Sequence, residues 1–243
     1  MKKCLNNREW FNLFIIGILF LVSISPSVYY LAYGYIPDFW LKESGLYETV
    51  GAAACFIAGL LSLGSFRLLL KQERNLNSLW FLLIALTCLF IAGEEISWGQ
   101  HFFDYEVSGS IASTNFQKEF NFHNSTLIQS SNNSLSSVFY RLLILYFILV
   151  PMFLVAFPTF KCWTRRMMVP TPSMLVAIIM LLAKCGDIAN YKIIYGSYFQ
   201  SDNLHIGEGG ESIFEICLLI FTFEFFFYIK NKTHQYNKAS TIV

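Results

Sequence analysis

Charge is scarce in this chain. Only 14% of its 243 residues are Asp, Glu, Lys or Arg, where a soluble domain carries about 25%. That shortfall argues against a globular surface facing water. The balance is nearly even, at net +1, with no basic patch or stripe, so no nucleic-acid partner is expected. Histidine occurs four times. The six cysteines (Cys4, Cys55, Cys88, Cys162, Cys185 and Cys217) are scattered, mostly inside apolar runs. They show no CxxC or Cys/His zinc spacing and read as small core residues rather than a disulfide framework or metal site. No Gly-rich phosphate loop, nucleophile elbow or His-Glu-x-x-His appears, so these signatures do not name a reaction class.

Apolar residues are what the chain has in plenty, 55% of the total, with 18% aromatic. A helix needs roughly 20 mostly apolar residues to cross about 30 Å of hydrocarbon. Six runs meet that length: 11–33, 46–69, 78–100, 137–159, 172–194 and 211–229. They predict an all-α, polytopic helical membrane bundle forming a single integral membrane domain over 1–243. The first run lacks a clean small-residue cleavage site and is long for a signal peptide, so it reads as a retained anchor. Lys2, Lys3 and Arg8 precede it. Arg67, Lys71 and Arg74 join runs two and three; Lys161, Arg165 and Arg166 join runs four and five; Lys230, Lys232 and Lys238 follow run six. In a six-span topology all twelve fall on one side. By the positive-inside rule both termini are expected in the cytoplasm.

The acids show the opposite bias. Glu48 opens the second run, "GEEISWGQ" with Glu94 and Glu95 closes the third, and Asp187 and Asn190 lie near the end of the fifth. Glu208, Glu211 and Glu215 precede or open the sixth. Four runs thus carry carboxylates to the outer leaflet, whereas the inner half holds Glu224. Charges at membrane depth cost a few kcal/mol each and usually face the bundle interior in pairs. Plainer explanations stand beside this one. Glu208 and Glu211 suit the first turn of a helix. Glu48 heads a small-residue face, Gly51, Ala52, Cys55 and Gly59, that permits close helix approach. Lys184 stands three residues before Asp187 and either pairs with it or neutralises the wider group. On a continuous helix Glu94, Ser97 and His101 share one face and Glu95 points about 100° away. Trp98 reads as an aromatic-belt residue.

An outer connector, 101–136, carries "NFQKEFNFHN". Asn115, Gln117, Glu119, Asn121 and His123 alternate with Phe116, Lys118, Phe120 and Phe122. Period two predicts an extended amphipathic segment. Its Phe face is expected on the bundle or lipid surface, and its polar face over the mouth where the acids collect. Gln100, Gln117, Glu119, Asn121, His123 and Asn124 are the candidate substrate-binding groups.

"GEEISWGQ" followed by Asn-x-Gln-x-Glu-x-Asn-x-His-Asn resembles a family of uncharacterised bacterial multi-pass membrane proteins, over about residues 90–125 and loosely at the start of the sixth run. That resemblance implies the bacterial cytoplasmic membrane and no particular reaction. A fainter one is to the membrane hydrolase superfamily of alkaline ceramidases and progestin/adiponectin receptors, which hold zinc with Ser-x3-His, an Asp and further histidines. Ser97 and His101 have that spacing and Asp187 matches the Asp. The chain departs from the superfamily in its six runs and in lacking His-x3-His in the last.

Three functions compete. In the first, Glu94, Glu95, His101 and Asp187 catalyse hydrolysis or transfer on a lipid or lipid-linked substrate. A divalent metal ion at Glu48, Glu94, Glu211 and Glu215 would activate water or polarise a phosphoryl or acyl group. In the second, the protein is a non-catalytic membrane partner or assembly factor. In the third, it is a proton- or cation-coupled transporter, disfavoured because the acids do not run across the membrane and no inverted repeat is evident.

Overall fold

A computed structural model describes residues 7–37, 45–103, 105–115, 120–122, 125, 135–195 and 208–240. Their regular elements are all helical. Helix α1 is Asn7–Tyr33, α2 Leu46–Leu70 and α3 Asn75–Glu95; two short helices follow, α4 Gln100–Phe103 and α5 Gly109–Ala112. Then come α6 Leu135–Ala156, α7 Pro158–Arg166, α8 Met174–Asn190 with a π-turn at Tyr191–Tyr195, and α9 Glu208–Ser240. Five helices are long and apolar enough to cross a membrane, and α6 with α7 makes a sixth if that bent pair counts as one span. The protein is a multi-pass membrane protein.

The helices pack in a chain of neighbours. α3 lies on α2, α2 on α9, α9 on α8, and α8 on both α1 and α6. Large apolar side chains such as Phe14, Leu21, Leu76, Leu83 and Leu142 point outward and stay exposed. The interior instead buries Ser23, Ser27, Ser62, Ser65, Asn190 and Glu215 beside its apolar core. Lipid tails are as apolar as leucine, so hydrophobicity does not drive one helix onto another; small and polar contacts do. On α2, a Cβ at Gly59 would come within 2.7 Å of Leu89 on α3, and one at Gly64 within 2.8 Å of Phe226 on α9. Absent side chains let both helices approach.

Polar bonds fasten α1. Pro26 interrupts it and has no N–H to give the carbonyl one turn back. That carbonyl, Val22 O, accepts instead from the hydroxyls of Ser25 at 2.8 Å and Tyr47 at 3.1 Å. A backbone group left unmet in hydrocarbon costs several kcal/mol, so Tyr47 ties α2 to α1 at this carbonyl. Asn190 ties α8 to the same stretch: Nδ2 donates to Ser23 O at 2.7 Å and Oδ1 accepts from Ser27 Oγ at 2.6 Å.

Three span ends differ from the sequence expectation. The third span ends at Glu95 rather than 100, because the backbone turns left-handed at Ser97. The fourth ends at Ala156 rather than 159, and α7 leaves at 114° to α6. Pro158 causes this turn. A proline disfavours helical conformation in the residue before it, and Phe157 is extended at φ −123°, while Pro158 starts the next helix. At the other end of the chain, α9 runs past 229 because the polar tail continues its helix to Ser240.

Asn190→Leu removes two interhelical bonds and leaves Ser23 O and Ser27 Oγ to find others. At about 0.6 kcal/mol on average for such a bond, and up to about 1.7, the purified protein is expected to lose roughly 1–3 kcal/mol. A melt in detergent should fall by several degrees, with α1 the first helix to become protease-sensitive.

Candidate functional site

Helix α3 does not fade out; it is stopped. Ser97, Trp98 and Gly99 all take positive φ, at 45°, 52° and 87°. Glycine tolerates that region, but serine and tryptophan do so at a cost of about 1–2 kcal/mol each. The turn persists because its side chains are held. Trp98 Nε1 donates to Glu94 Oε1 at 2.6 Å, and its ring meets Phe90 edge-on at 5.7 Å between centroids. The ring also lies over Gly93, where a Cβ would come within 2.9 Å of it. The turn breaks the helical relation between Ser97 and His101, so Glu94, Ser97 and His101 do not share a helix face.

The turn receives the connector between α3 and α6. Glu94 Oε2 accepts from Phe122 N at 2.7 Å. Gln100 Oε1 accepts from Phe120 N at 2.8 Å, and Ser97 Oγ from Asn121 Nδ2 at 3.1 Å. Tyr105 donates its hydroxyl to Ser97 O at 3.2 Å. Within the connector, Asn115 Nδ2 donates to Asn121 O at 2.8 Å and Oδ1 at 2.9 Å, and Asn115 bridges antiparallel to Ser125. Asn115 and Ser125 therefore lie side by side, and the rest of the expected extended segment, 116–119 and 123–124, falls outside the described residues. Asn115 and Asn121 are buried, and Phe120 and Phe122 exposed. The two motif stretches are halves of one clamp, in which Glu94, 4% exposed, has both oxygens committed to N–H donors.

Glu95 has a different setting. The charges of Glu215, Glu211, Glu48 and Glu94 all bear on it, Glu215 most strongly. Glu215 is wholly buried, at 0% exposure. Its carboxylate occupies the space that a Cβ on Gly51 would fill, so the missing side chain on α2 makes the room for an acid from α9. Cys55, one turn beyond Gly51 and wholly buried, and Cys88, also buried, both lie within reach of the Glu215 charge. Neither cysteine stood out in the sequence. The available signal was Cys55 one turn beyond Gly51 on the small-residue face that Glu48 heads.

Asp187 stands apart from Glu95. Lys184 Nζ donates to Asp187 Oδ2 at 2.8 Å, and the carboxylate lies where a Cβ on Gly210 would be, at the first turn of α9. The plain i, i+3 ion pair is the arrangement present. Asp187 Oδ1 is buried without a hydrogen-bond partner among the described residues. His101 falls in α4 with its side chain outside the described residues. Gln117, Glu119, His123 and Asn124 lie outside them altogether. Among the described residues no three His, Cys, Asp or Glu side chains are placed to hold a metal ion. For Glu94 the reason is direct: both its oxygens already face N–H groups.

Compared with known proteins, the chain matches no family model, no curated protein and no solved structure.

The two adjacent glutamates should respond oppositely to the same change. Glu94→Gln sets an amide NH2 against an N–H donor, so one buried bond is lost at about 1–3 kcal/mol. The expected result is a lower melting temperature and faster proteolysis between 105 and 125. Glu95→Gln removes a negative charge from among four others and should leave the melt at or above wild type. Measuring both melts in one detergent checks the pair.

Proposed function

We propose that this is a bacterial cytoplasmic-membrane enzyme. Its acid–base site centres on Glu95 and Glu215 in the outer half of the bundle, and it carries out hydrolysis or group transfer on a lipid or lipid-linked substrate. The observation that supports this most is that the charges of Glu215 and Glu211 on α9 and Glu48 on α2 all bear on Glu95 of α3, with Glu215 wholly buried. Structural carboxylates at membrane depth pair with cations or donors, as Asp187 does with Lys184. Like charges brought together in low dielectric repel strongly and demand compensation. Packing alone gains nothing from such a group, whereas acid–base chemistry uses it. Two carboxylates that feel each other divide the roles, one holding a proton to give and the other ready to accept one from water or a substrate hydroxyl.

The space left at Gly51 seats that carboxylate against α2. The clamp at Glu94, Ser97 and Gln100 holds the connector against the end of α3. His101, Gln100 and Asn121 belong to this cover in the proposal. The polar groups of Gln117, Glu119, His123 and Asn124 meet the substrate's head. The apolar outer surface suits entry from the bilayer rather than from water. A divalent cation is the other source of compensating charge, and a carboxylate such as Glu215 would favour Mg2+ or Mn2+, although no three acids among the described residues are placed to hold one. The bonds made by Glu94 favour a second reading, a non-catalytic assembly protein whose acids only shape the outer face.

A deletion strain separates the two. On the enzyme reading its lipid extract changes by mass spectrometry, wild type restores it, and Glu95→Gln or Glu215→Gln fails to, although the protein inserts and melts normally. Full restoration by both variants leaves the assembly reading. EDTA sensitivity reversed by Mg2+ would assign the compensation to a cation.

The orientation, with both termini cytoplasmic, rests on the lysine and arginine bias. In a cysteine-free background, Glu106→Cys should react with an impermeant maleimide on intact cells and Lys71→Cys only after lysis. The reverse pattern would invert the topology and move the acid site to the inner leaflet.

A further inference from the structure

At the end of the bundle opposite the acids, α6, α7, α8 and α9 enclose a groove of about 720 Å3. That size falls within the range of small-ligand sites, about 300–1,000 Å3. Its walls are apolar, with Pro151, Leu154 and Val155 from α6, and Phe223 and Phe227 from α9. Its rim is basic. Lys161 and Arg165 of α7 both line it, and their i, i+4 spacing puts them on one face. The single acid on the lining is Glu224, so the rim carries an excess positive charge.

Two further features point the same way. Ser173 and Met174, where α8 begins, also line the groove. Ser173 Oγ accepts from Val176 N, and the positive end of the α8 dipole lies at this part of the lining. The second feature is the course of α7. It leaves α6 at 114° and so lies across the bundle's end. Phe157, Phe160 and Trp163 are exposed along it, in ring contact in series from Phe153. Aromatic side chains with Lys and Arg on the other face mark a helix lying in the membrane interface.

We infer that this groove binds an anionic phospholipid. The phosphate sits between Lys161, Arg165 and the N-terminus of α8, and an acyl chain lies along the apolar wall formed by α6 and α9. Charge complementarity selects an anionic head, and the apolar walls at interface depth select a lipid over a free anion. Basic pockets between membrane helices are used in this way on the cytoplasmic side, the side to which the lysine and arginine bias assigns α7. The inference is independent of the acid site.

The test uses the full-length protein in mild detergent, with phosphatidylglycerol, phosphatidylcholine and inorganic phosphate added separately. The readouts are the melt and bound lipid by native mass spectrometry. Phosphatidylglycerol is expected to raise the melting temperature and remain bound through delipidation. Replacing both Lys161 and Arg165 with Gln should weaken that binding about thirtyfold, from two lost basic contacts near the surface. A matched double variant, Lys71→Gln with Arg166→Gln, removes the same charge outside the groove and should bind within about threefold of wild type. Val155→Trp fills the groove without altering charge and should also weaken binding. Equal loss in the two charge variants would mean diffuse attraction and overturn the inference. So would an equal shift with phosphatidylcholine, or reproduction of the shift by inorganic phosphate alone.

Discussion

A carboxylate at hydrocarbon depth has no water to turn to, and the end of this bundle where α3 stops and α9 starts is arranged around that constraint. Glu215 on α9 is wholly buried against α2, and it needs protein on every side. α2 comes close because Gly51 leaves the space the carboxylate fills. Cys55, one turn on, is wholly buried. α3 packs on α2, and the charge of Glu215 bears on its Glu95. The small-residue face of α2 thus serves both neighbours, its glycines at 51 and 64 meeting α9 and the one at 59 meeting α3.

Glu94 and Glu95 are adjacent in sequence and opposite in setting. A helix rotates about 100° per residue, so neighbours face different partners. Glu94 faces the turn that ends α3 and accepts from Trp98 and Phe122. Its two oxygens hold a strained backbone and a connector at once, a job for which an amide is one acceptor short. Glu95 faces the bundle and the other acids. A burial argument alone would treat the two as equivalent. The donors around them separate a group whose partners explain it from a group whose neighbours are of like charge.

The bundle is polarised along its length. Acids collect at one end, where α3 stops and α9 starts, and Lys161 and Arg165 border an apolar groove at the other. Both ends depend on a helix being ended deliberately. At the acid end the left-handed run at Ser97, Trp98 and Gly99 turns the chain back over the bundle. At the other, Pro158 turns α7 across it. Neither termination frays, since each is secured by side chains packed on the turn.

The membrane class and nearly every span were legible in the sequence because lipid tests each residue alone: a run of about twenty apolar side chains is favourable in hydrocarbon whatever its neighbours do. The boundaries at Glu95 and Ala156 were less legible. The first turns on Ser97 and Trp98 taking a conformation neither prefers, and nothing local announces that. Pro158 did announce the second, but apolar sequence on both sides of it concealed the break. The carboxylates were visible, and so was their shared depth. Their division of labour was not. Whether Glu94 meets a backbone N–H from a residue 28 positions away, or Asp187 meets Lys184 rather than Glu95, depends on which helices become neighbours and how each is rotated. Composition and spacing determined that this chain lives in a bilayer and that its acids fall near the ends of the apolar runs. Only the packing of α2 against α3 and α9, and the docking of the connector on the end of α3, decided which acids face one another, because in lipid the polar group chooses its partner from whatever the fold brings within reach.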